Sequence, residues 1–399
     1  MEELHGIVIV GGGISGLATA LALHRKGISS LVLEKSETLR TDGVCIAVHA
    51  NGWRALDQLG ISTELRETTN SITGYQNVWL NQKKATLQFT SEEVRCLKQK
   101  DLIEALARNL PPGTIRFGCH VAAIAADSCS YHTIISTMDG SIMKAKVLIG
   151  CDGANSEVAK YLGLGSASHL PRLIILGLTR YPHGHPYGTQ FLHLRGEDLA
   201  VGRLPLNENL VHFFITRASP STDISNDASA AKQYVLEKLK ECPADIAEMV
   251  RRCDPKTEPL KTLTRVWYRP PWQVLFGRFQ RGTVTVAGDA MYAMGPFIGQ
   301  GGSAALEDAV VLARSVSRAL PGGVDAVTSE QELHQKIGVA LGKYVSERRA
   351  RVFKLSLEAF VTGTLLTARS LAKYLVLVPI LVLLGSESRR HANYDCGRL

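Results

Sequence analysis

Residues 6–16 read GIVIVGGGISG, a short apolar run that passes directly into a glycine-rich turn. Such a continuous apolar run is typical of a strand buried on both faces in a parallel sheet. The next residues, 17–26, read LATALALHRK and predict a helix that ends at Gly27. A second apolar run, SLVLEK, then ends around Glu34. The sequence therefore predicts a strand–helix–strand unit in about 30 residues, the length of a dinucleotide-binding unit.

Each glycine of the turn has a separate physical task in this interpretation. Gly11 allows the tight turn, Gly13 lets the backbone approach a pyrophosphate, and Gly16 lets the helix pack closely on the strand. The free N–H groups at the helix N-terminus favour phosphate binding. Glu34 follows Gly16 by 18 residues, where an acidic side chain grips ribose hydroxyls and disfavours a 2′-phosphate. The tightly bound nucleotide is therefore expected to be FAD or NAD rather than NADP.

Two later segments narrow this choice. Residues 146–156, KVLIGCDGANS, predict a strand that ends at the pair Asp152-Gly153. Residues 282–308, GTVTVAGDAMYAMGPFIGQGGSAALED, predict another strand, then Gly288-Asp289, a glycine-rich loop and an amphipathic helix.

These three motifs, in this order, resemble those of the FAD-dependent aromatic-hydroxylase-like monooxygenases, which have the p-hydroxybenzoate hydroxylase fold. The closest resemblance is to plant FAD-dependent monooxygenases related to zeaxanthin epoxidase, and it extends to the YDCG at 394–397. It implies an α/β fold: a Rossmann-like FAD-binding domain with an inserted antiparallel β-sheet substrate domain and a helical C-terminal segment. The expected boundaries are 1–70, 96–168 and 281–322 for the FAD-binding domain, 71–95 and 169–280 for the substrate domain, and 323–399 for the C-terminal segment.

The resemblance also implies roles for residues at matching positions. Asp289 is expected to bond a ribityl hydroxyl, and backbone N–H groups of the loop at 296–302 are expected to stabilise negative charge on reduced flavin. The implied cofactor-binding residues are Gly11, Gly13, Ile14, Ser15, Gly16, Glu34, Lys35, Arg40, Gln99, Asp152, Asp289, Gly299, Gly301 and Gly302. Tyr292 and Pro296 are the candidates for catalytic contacts.

The implied activity is that of an oxidoreductase. NADPH or NADH, as a transient co-substrate, would reduce FAD, and O₂ would then form a flavin C4a-hydroperoxide that transfers one oxygen atom to a small molecule. No second GxGxxG occurs in 169–280, which agrees with a brief visit by the nicotinamide nucleotide. A hydrophobic substrate is expected, such as a specialised metabolite of the terpenoid, phenolic or alkaloid type.

The middle of the chain alternates strand-like runs with turns, namely TQFLHLR, DLAVGRLPL and NLVHFFITR. Their period of two predicts a half-exposed antiparallel sheet whose inner face covers the flavin. The candidate substrate contacts in these runs are Phe191, His193, Arg203, Phe213 and Ile215.

Four positions depart from the family pattern. Tyr292, Ala293 and Gly295 stand where the family commonly has His, Pro and Thr, and Ala159 stands where an Arg is usual, beside Lys160. These departures keep two alternatives open. One is an FAD enzyme with different net chemistry, such as an oxidase, an oxidative cyclase or a rearrangement catalyst; the other is a non-catalytic FAD-fold binding module.

Composition excludes several classes of protein. With 45% hydrophobic residues and a net charge of +8 the chain is not expected to be disordered. The eight cysteines form no CxxC pair and are too dilute for a disulfide scaffold, so we expect free thiols in the cytoplasm. The sequence has no basic stripe with interleaved aromatics, so no nucleic-acid partner is expected. It also has no metal-ligand spacing and no GxSxG motif, so neither a metal site nor a hydrolase is expected.

One apolar segment remains unassigned. Residues 375–384 read LVLVPILVLL, which is shorter than the roughly 20 residues of a membrane span. A helix packed on the core, a peripheral membrane contact and a wall over a hydrophobic substrate cavity all remain open for it.

Overall fold

A computed structural model describes residues 3–82, 84–196, 199–218, 228–240, 242–255, 257–324, 327, 329–365, 377–379 and 390–399. The strands are β1 (Glu3–Val10), β2 (Leu31–Leu33), β3 (Cys45–Val48), β4 (Gly74–Trp79), β5 (Lys84–Phe89), β6 (Arg95–Lys98), β7 (Ile115–Arg116), β8 (Val121–Ala126), β9 (Thr133–Thr137), β10 (Ile142–Gly150), β11 (Ser168–Arg180), β12 (Gln190–Arg195), β13 (Leu199–Asn207), β14 (Leu210–Ala218), β15 (Leu260–Tyr268), β16 (Gln280–Arg281) and β17 (Val284–Val286). The helices are α1 (Ile14–Arg25), α2 (Ala50–Leu59), α3 (Ser62–Glu67), α4 (Gln99–Arg108), α5 (Glu157–Tyr161), α6 (Ala228–Lys238), α7 (Ala244–Arg252), α8 (Pro271–Phe276), α9 (Asp289–Tyr292), α10 (Gly301–Ala319) and α11 (Glu330–Leu365), with short 3₁₀ turns at Pro296–Ile298 and Arg390–Asn393.

The first sheet contains the predicted strand–helix–strand unit. Its central order is β16-β17-β10-β1-β2-β7, and β17, β10, β1, β2 and β7 run parallel. Residues 7–10 are buried because β1 lies between β10 and β2 and is covered by helices, as its continuous apolar sequence predicts. The carboxyl ends of β1, β2 and β10 therefore lie side by side at one edge.

The second sheet has the order β15-β11-β14-β13-β12-β4-β5 and draws its strands from 74–89 and 168–268. The sequence predicts an antiparallel sheet, which is correct for every pair except β12 and β4, which run parallel. A hairpin forces neighbouring strands to be antiparallel, whereas β4 and β12 are separated by a long stretch of chain that permits either direction. One face of this sheet packs against α6 and α7 in a core that includes Leu192, Phe213 and Met249.

Helix α11 (Glu330–Leu365) is the main described element of the C-terminal part, for which the sequence predicts a helical segment at 323–399. It packs along α10 and α8. The last ten residues return to helix α2, where Arg54 donates to the Asn393 carbonyl at 2.7 Å. The prediction for 375–384 falls largely outside the described residues. In the ranges that are described, no helix has both the length and the apolarity needed to cross a bilayer.

Candidate functional site

A cavity of about 2460 Å³ joins the carboxyl ends of the parallel strands to one face of the second sheet. Val10, Leu33 and Cys151, at or next to the ends of β1, β2 and β10, line one part of it. Phe191 and Phe214, on β12 and β14, line another. Typical small-molecule pockets measure roughly 300–1,000 Å³, so this cavity is large enough for a dinucleotide together with a second molecule.

The glycine-rich turn opens one end of the cavity. Gly11 has φ +104°, and a Cβ there would lie 2.5 Å from the Cys151 carbonyl oxygen, so only glycine fits. A Cβ on Gly16 would run into the Gly11 backbone. By contrast, apart from its chain neighbours, no atom of the described residues lies within 4 Å of a Cβ built on Gly13, the residue before α1. Helix α1 has no side-chain cap, so its first N–H groups are available to a phosphate.

Glu34 is almost fully buried next to this turn. Its Oε2 accepts a hydrogen bond from the Gly12 N–H at 2.7 Å, and its Oε1 accepts one from the Ser36 N–H at 3.0 Å. These bonds fix the carboxylate at the cavity wall, where its remaining lone pairs can accept ribose hydroxyls. Lys35, Arg40 and Gln99, the first residue of α4, also line the cavity.

Asp152 and Asp289 supply two further carboxylates to the cavity. Asp152 Oδ2 accepts from the Glu157 N–H at 2.8 Å, and within the described part of the chain its buried Oδ1 has no partner. Burial raises the pKa of Asp152. Asp289 is open to the cavity but surrounded by protein on its other sides; this enclosure, together with nearby Asp308, raises its pKa to about 6.

The loop after α9, residues 293–300, and the first residues of α10 form another part of the cavity wall. Pro296 is exposed at its 3₁₀ turn, Gly299 has φ +64°, and α10 begins at Gly301 with no side-chain cap. Gly299, Gly301 and Gly302 all line the cavity. The uncapped amides at the start of this 19-residue helix are therefore available to an anionic group in the cavity.

A buried ion cluster supports this loop from behind. Asp308 accepts from the Gly288 N–H at 2.9 Å, from the Tyr292 hydroxyl at 2.5 Å and from Arg348 Nε at 2.6 Å. Arg348 also pairs with Glu307 at 2.7 Å. One arginine of α11 thus braces both acidic residues of α10, and Asp308 in turn fixes Gly288, the residue before Asp289.

Glu307, the other acidic residue of the cluster, is connected through Asn51 to Gln300, the residue before α10. Glu307 is fully buried, and burial alone would raise its pKa, yet Arg348 and Arg351 hold it below its usual value. Asn51 donates to Glu307 at 2.5 Å and to Gln300 at 2.9 Å. Sequence reasoning missed this cluster. The signal was present in the adjacent acids 307–308 and the arginines at 348, 349 and 351, which occupy helices that must bury apolar faces.

The structure brings most of the predicted cofactor-binding residues to the cavity. Those that line it are Gly11, Gly13, Ile14, Ser15, Glu34, Lys35, Arg40, Gln99, Asp152, Asp289, Gly299, Gly301 and Gly302. Gly16 lies behind the turn, where it allows close helix packing. Their contacts with a cofactor remain predictions.

Tyr292 does not lie at the cavity, contrary to the expectation that it contacts the flavin. It is fully buried, and burial and Asp308 raise its pKa, so the phenol keeps its proton and donates a hydrogen bond to that carboxylate. Pro296 does line the cavity. Ala159 is also buried, whereas its neighbour Lys160 lines the cavity and pairs with Glu157 at 2.6 Å.

The predicted substrate contacts divide between the two faces of the second sheet. Phe191 and His193 line the cavity. Arg203 and Phe213 do not. Residues paired across neighbouring strands point to the same face of a sheet, and Arg203 is paired with both Leu192 and Phe213. All three residues therefore lie on the face opposite the cavity. That face packs against helices; there Arg203 pairs with Asp245 at 2.5 Å and lies over the Tyr187 ring. Ile215, two residues after Phe213, belongs to the same helix-facing core.

Residues missed by the sequence analysis complete the cavity face of this sheet. The even-numbered positions of β11 and β14 supply Arg172, Ile174, Leu176, His212, Phe214 and Thr216. Arg172 Nε donates to Thr216 Oγ1 at 2.7 Å. Burial and the adjacent Arg195 lower the pKa of His193 to about 4, so this imidazole is neutral at pH 7. The strand period of two, applied with the correct parity, would have found these residues.

Comparison with known proteins agrees with this geometry. Residues 5–331 match the model of a family described as an FAD binding domain. Monooxygenase 1 of Arabidopsis thaliana is 43% identical over 404 residues, which cover 100% of both chains. Monooxygenase 2 of the same plant is 36% identical over 98% of each chain. The resemblance to plant FAD-dependent monooxygenases is thereby confirmed.

The solved structures agree with the fold. Klebsiella pneumoniae HpxO, crystallised with FAD and uric acid, superposes with a TM-score of 0.77 at 22% identity, covering 98% of this chain and 96% of that one. The tetrameric form of 2-methyl-3-hydroxypyridine-5-carboxylic acid oxygenase superposes with a TM-score of 0.72 at 20% identity, covering 99% and 97%. The predicted fold class is confirmed.

Proposed function

The chain belongs to the FAD-binding-domain family of FAD-dependent monooxygenases, and on this premise we propose the finer points of its activity. Its electrons come from NADH or NADPH, and its substrate is a hydrophobic organic molecule that receives one oxygen atom from O₂. The observation that carries the proposal is one continuous cavity, which runs from the ends of the parallel strands to an aromatic face of the second sheet. Both reactants can therefore meet inside one enclosure.

The residues at the strand ends suit FAD. The turn at 11–13 and the N-terminus of α1 can hold the pyrophosphate, and Glu34 can hold the ribose hydroxyls. Asp289, which lines the cavity, is proposed to accept from a ribityl hydroxyl, and the uncapped amides at the start of α10 are proposed to stabilise the electron-rich end of the ring system. When bound, FAD supplies the redox chemistry that activates O₂.

The second sheet, with segments 71–95 and 169–280, is proposed as the substrate domain. Phe191, Phe214 and the neutral His193 offer ring faces and edges, with Phe191 and His193 stacked at 6.0 Å between centroids. This lining orients an apolar substrate and excludes water from the reacting atoms. Asp289, with its pKa raised to about 6, can hold or release a proton at the flavin end near neutral pH.

The test is anaerobic rapid mixing of the purified FAD-loaded protein with NADH or NADPH, first alone and then with candidate substrates. Bleaching of the flavin absorbance, followed by reoxidation and a product 16 Da heavier, is the expected result. Flavin that neither nucleotide reduces in the presence of any candidate substrate would count against the proposal. Reduction by the substrate itself, with no gain of oxygen, would instead support the oxidase or cyclase alternative.

The cytoplasm is proposed as the compartment. All eight cysteines are free thiols in the structure, three of them at intermediate burial and Cys129 exposed. Such thiols persist in a reducing environment.

A further inference from the structure

Phe297 lies on the 3₁₀ turn of the loop at 296–302, and its ring forms part of the cavity wall. The ring edge is seated against two glycines that are far apart in sequence. A Cβ on Gly295 would lie 2.7 Å from Phe297 Cδ2, and a Cβ on Gly363 of α11 would lie 2.6 Å from the same atom. Real Cβ atoms do not approach so closely, so both positions must lack a side chain for the ring to lie where it does.

This seat explains one of the departures from the family pattern. Gly295 stands where the family commonly has Thr, and a Cβ there would also lie 3.2 Å from Val266 Cγ1. The φ of Gly295 is −60°, which any residue adopts, so the turn itself does not require glycine. The requirement comes from the ring. Gly363 likewise lies inside a helix, where glycine is a poor helix former and its presence needs a packing reason.

The Phe297 ring also lies next to a charged side chain of the second sheet, Arg172 on β11. The Arg172 guanidinium lies over it, 6.0 Å from the ring centroid, and Arg172 is bonded to Thr216 on the second sheet. Phe297 therefore stands where the loop, helix α11 and the second sheet meet at the cavity. A ring displaced from its seat by a methyl group at 295 or 363 moves towards the cavity, because that is its open side.

We propose that Phe297, seated between Gly295 and Gly363, determines substrate specificity by limiting the size of the flat aromatic ring system that fits next to the flavin-binding loop. This inference rests on the proposed function for the identity of the ligand, but its physical basis is the fit of one ring against two glycines. It requires opposite effects from two substitutions. Phe297→Ala widens the cavity, and Gly363→Ala narrows it by pushing the ring inwards.

The chain offers a matched control on the same helix. A Cβ on Gly342 would meet its nearest atom, Gln280 Oε1, at 3.9 Å, which is ordinary contact. Gly342→Ala therefore makes the same chemical change in α11 without touching Phe297. Phe297→Leu provides a graded second variant and keeps the test available if Gly363→Ala does not fold.

The experiment measures binding of benzoate, 2-naphthoate and anthracene-2-carboxylate to the FAD-loaded proteins through the change in flavin absorbance. The carboxylate is chosen because Arg172 lies beside the ring. The ratio compared is the affinity for anthracene-2-carboxylate divided by the affinity for benzoate. Relative to wild type, Phe297→Ala is expected to shift this ratio about tenfold towards the larger acid, and Phe297→Leu by less. Gly363→Ala is expected to shift it about tenfold towards benzoate, and Gly342→Ala to leave it within about twofold.

Equal ratios in all variants, shifts of the same sign for Phe297→Ala and Gly363→Ala, or no binding of any acid to the wild type would each overturn the inference. These results are separate from those that test the proposed function. A protein with the expected shifts but no oxygen insertion keeps this inference and loses the proposed activity. An active monooxygenase without the shifts does the reverse.

Discussion

Arg348 Nε donates to Asp308 Oδ1 at 2.6 Å, and neither side chain has any exposed surface. The same guanidinium pairs with Glu307 at 2.7 Å. Asp308 fixes the Gly288 N–H, while Glu307 reaches Gln300 through Asn51. One arginine of α11 therefore braces both ends of segment 288–300, which contains α9 and most of the loop that faces the cavity.

Replacing Arg348 by Met should destabilise the protein by about 3–5 kcal/mol, because two buried carboxylates lose their shared partner. Urea unfolding of the apoprotein measures this change. Lys343→Met, at an exposed position of the same helix, is the control and should stay within about 0.5 kcal/mol of wild type. Equal stability of the Arg348→Met variant and the wild type would show that the cluster contributes nothing to the fold.

Asp289 gives a prediction about pH. Its pKa in the folded protein is raised from 3.8 to about 6, so the folded state binds a proton more tightly than the unfolded state does. Its contribution to stability therefore increases as the pH falls from about 7 to 4. Asp289→Asn removes this titration, so the variant apoprotein should gain melting temperature over wild type at pH 8 and lose that advantage by pH 4. A difference that does not change with pH would contradict the raised pKa.

Asp289→Ala tests the cofactor contact directly. Loss of a hydrogen bond that a ribityl hydroxyl donates to a charged carboxylate costs about 1.5–3 kcal/mol, so FAD affinity should fall at least about tenfold. The measurement is a titration of the apoprotein with FAD, in which quenching of the flavin fluorescence reports binding. A variant that purifies with a full complement of FAD would remove Asp289 from the cofactor site.

How much the sequence predicts depends on whether a feature is local. The turn at 11–16 and its helix obey short-range rules, since Gly11 needs a positive φ and Gly16 needs contact with the Gly11 backbone. Both follow from spacing alone. The pairing of Arg348 with Asp308 joins positions 40 residues apart, and no local pattern specifies it. Tyr292 was misplaced for the same reason, because its partner Asp308 lies on another helix.

Glu34→Gln tests the ribose end of the cavity. The neutral amide cannot accept from the Gly12 and Ser36 N–H groups in the way the carboxylate does with both oxygens, and it loses the charge that favours ribose hydroxyls. FAD affinity should fall about tenfold or more. Glu37→Gln, an exposed acid in the same loop, is the control and should bind FAD as wild type does. Equal weakening by both substitutions would indicate a general charge effect and not a specific site.

Phe191 and Phe213 test the orientation of the second sheet, because the sequence analysis placed them together and the structure places them on opposite faces. Phe213 is fully buried among helix-facing residues, and its ring lies over Gly177, where a Cβ would be 2.5 Å from Cε1. Phe213→Ala should therefore cost about 3–5 kcal/mol of unfolding free energy and leave the KM of an accepted substrate near its wild-type value. Phe191 is half-buried at the cavity and stacks on His193, so Phe191→Ala should cost no more than about 1.5 kcal/mol while raising KM several-fold.

Urea unfolding and steady-state kinetics on both variants separate the two effects. The reverse pattern, a KM effect at Phe213 and a stability loss at Phe191, would mean that the register of β12, β13 and β14 is displaced by one residue, since such a slip exchanges the two faces.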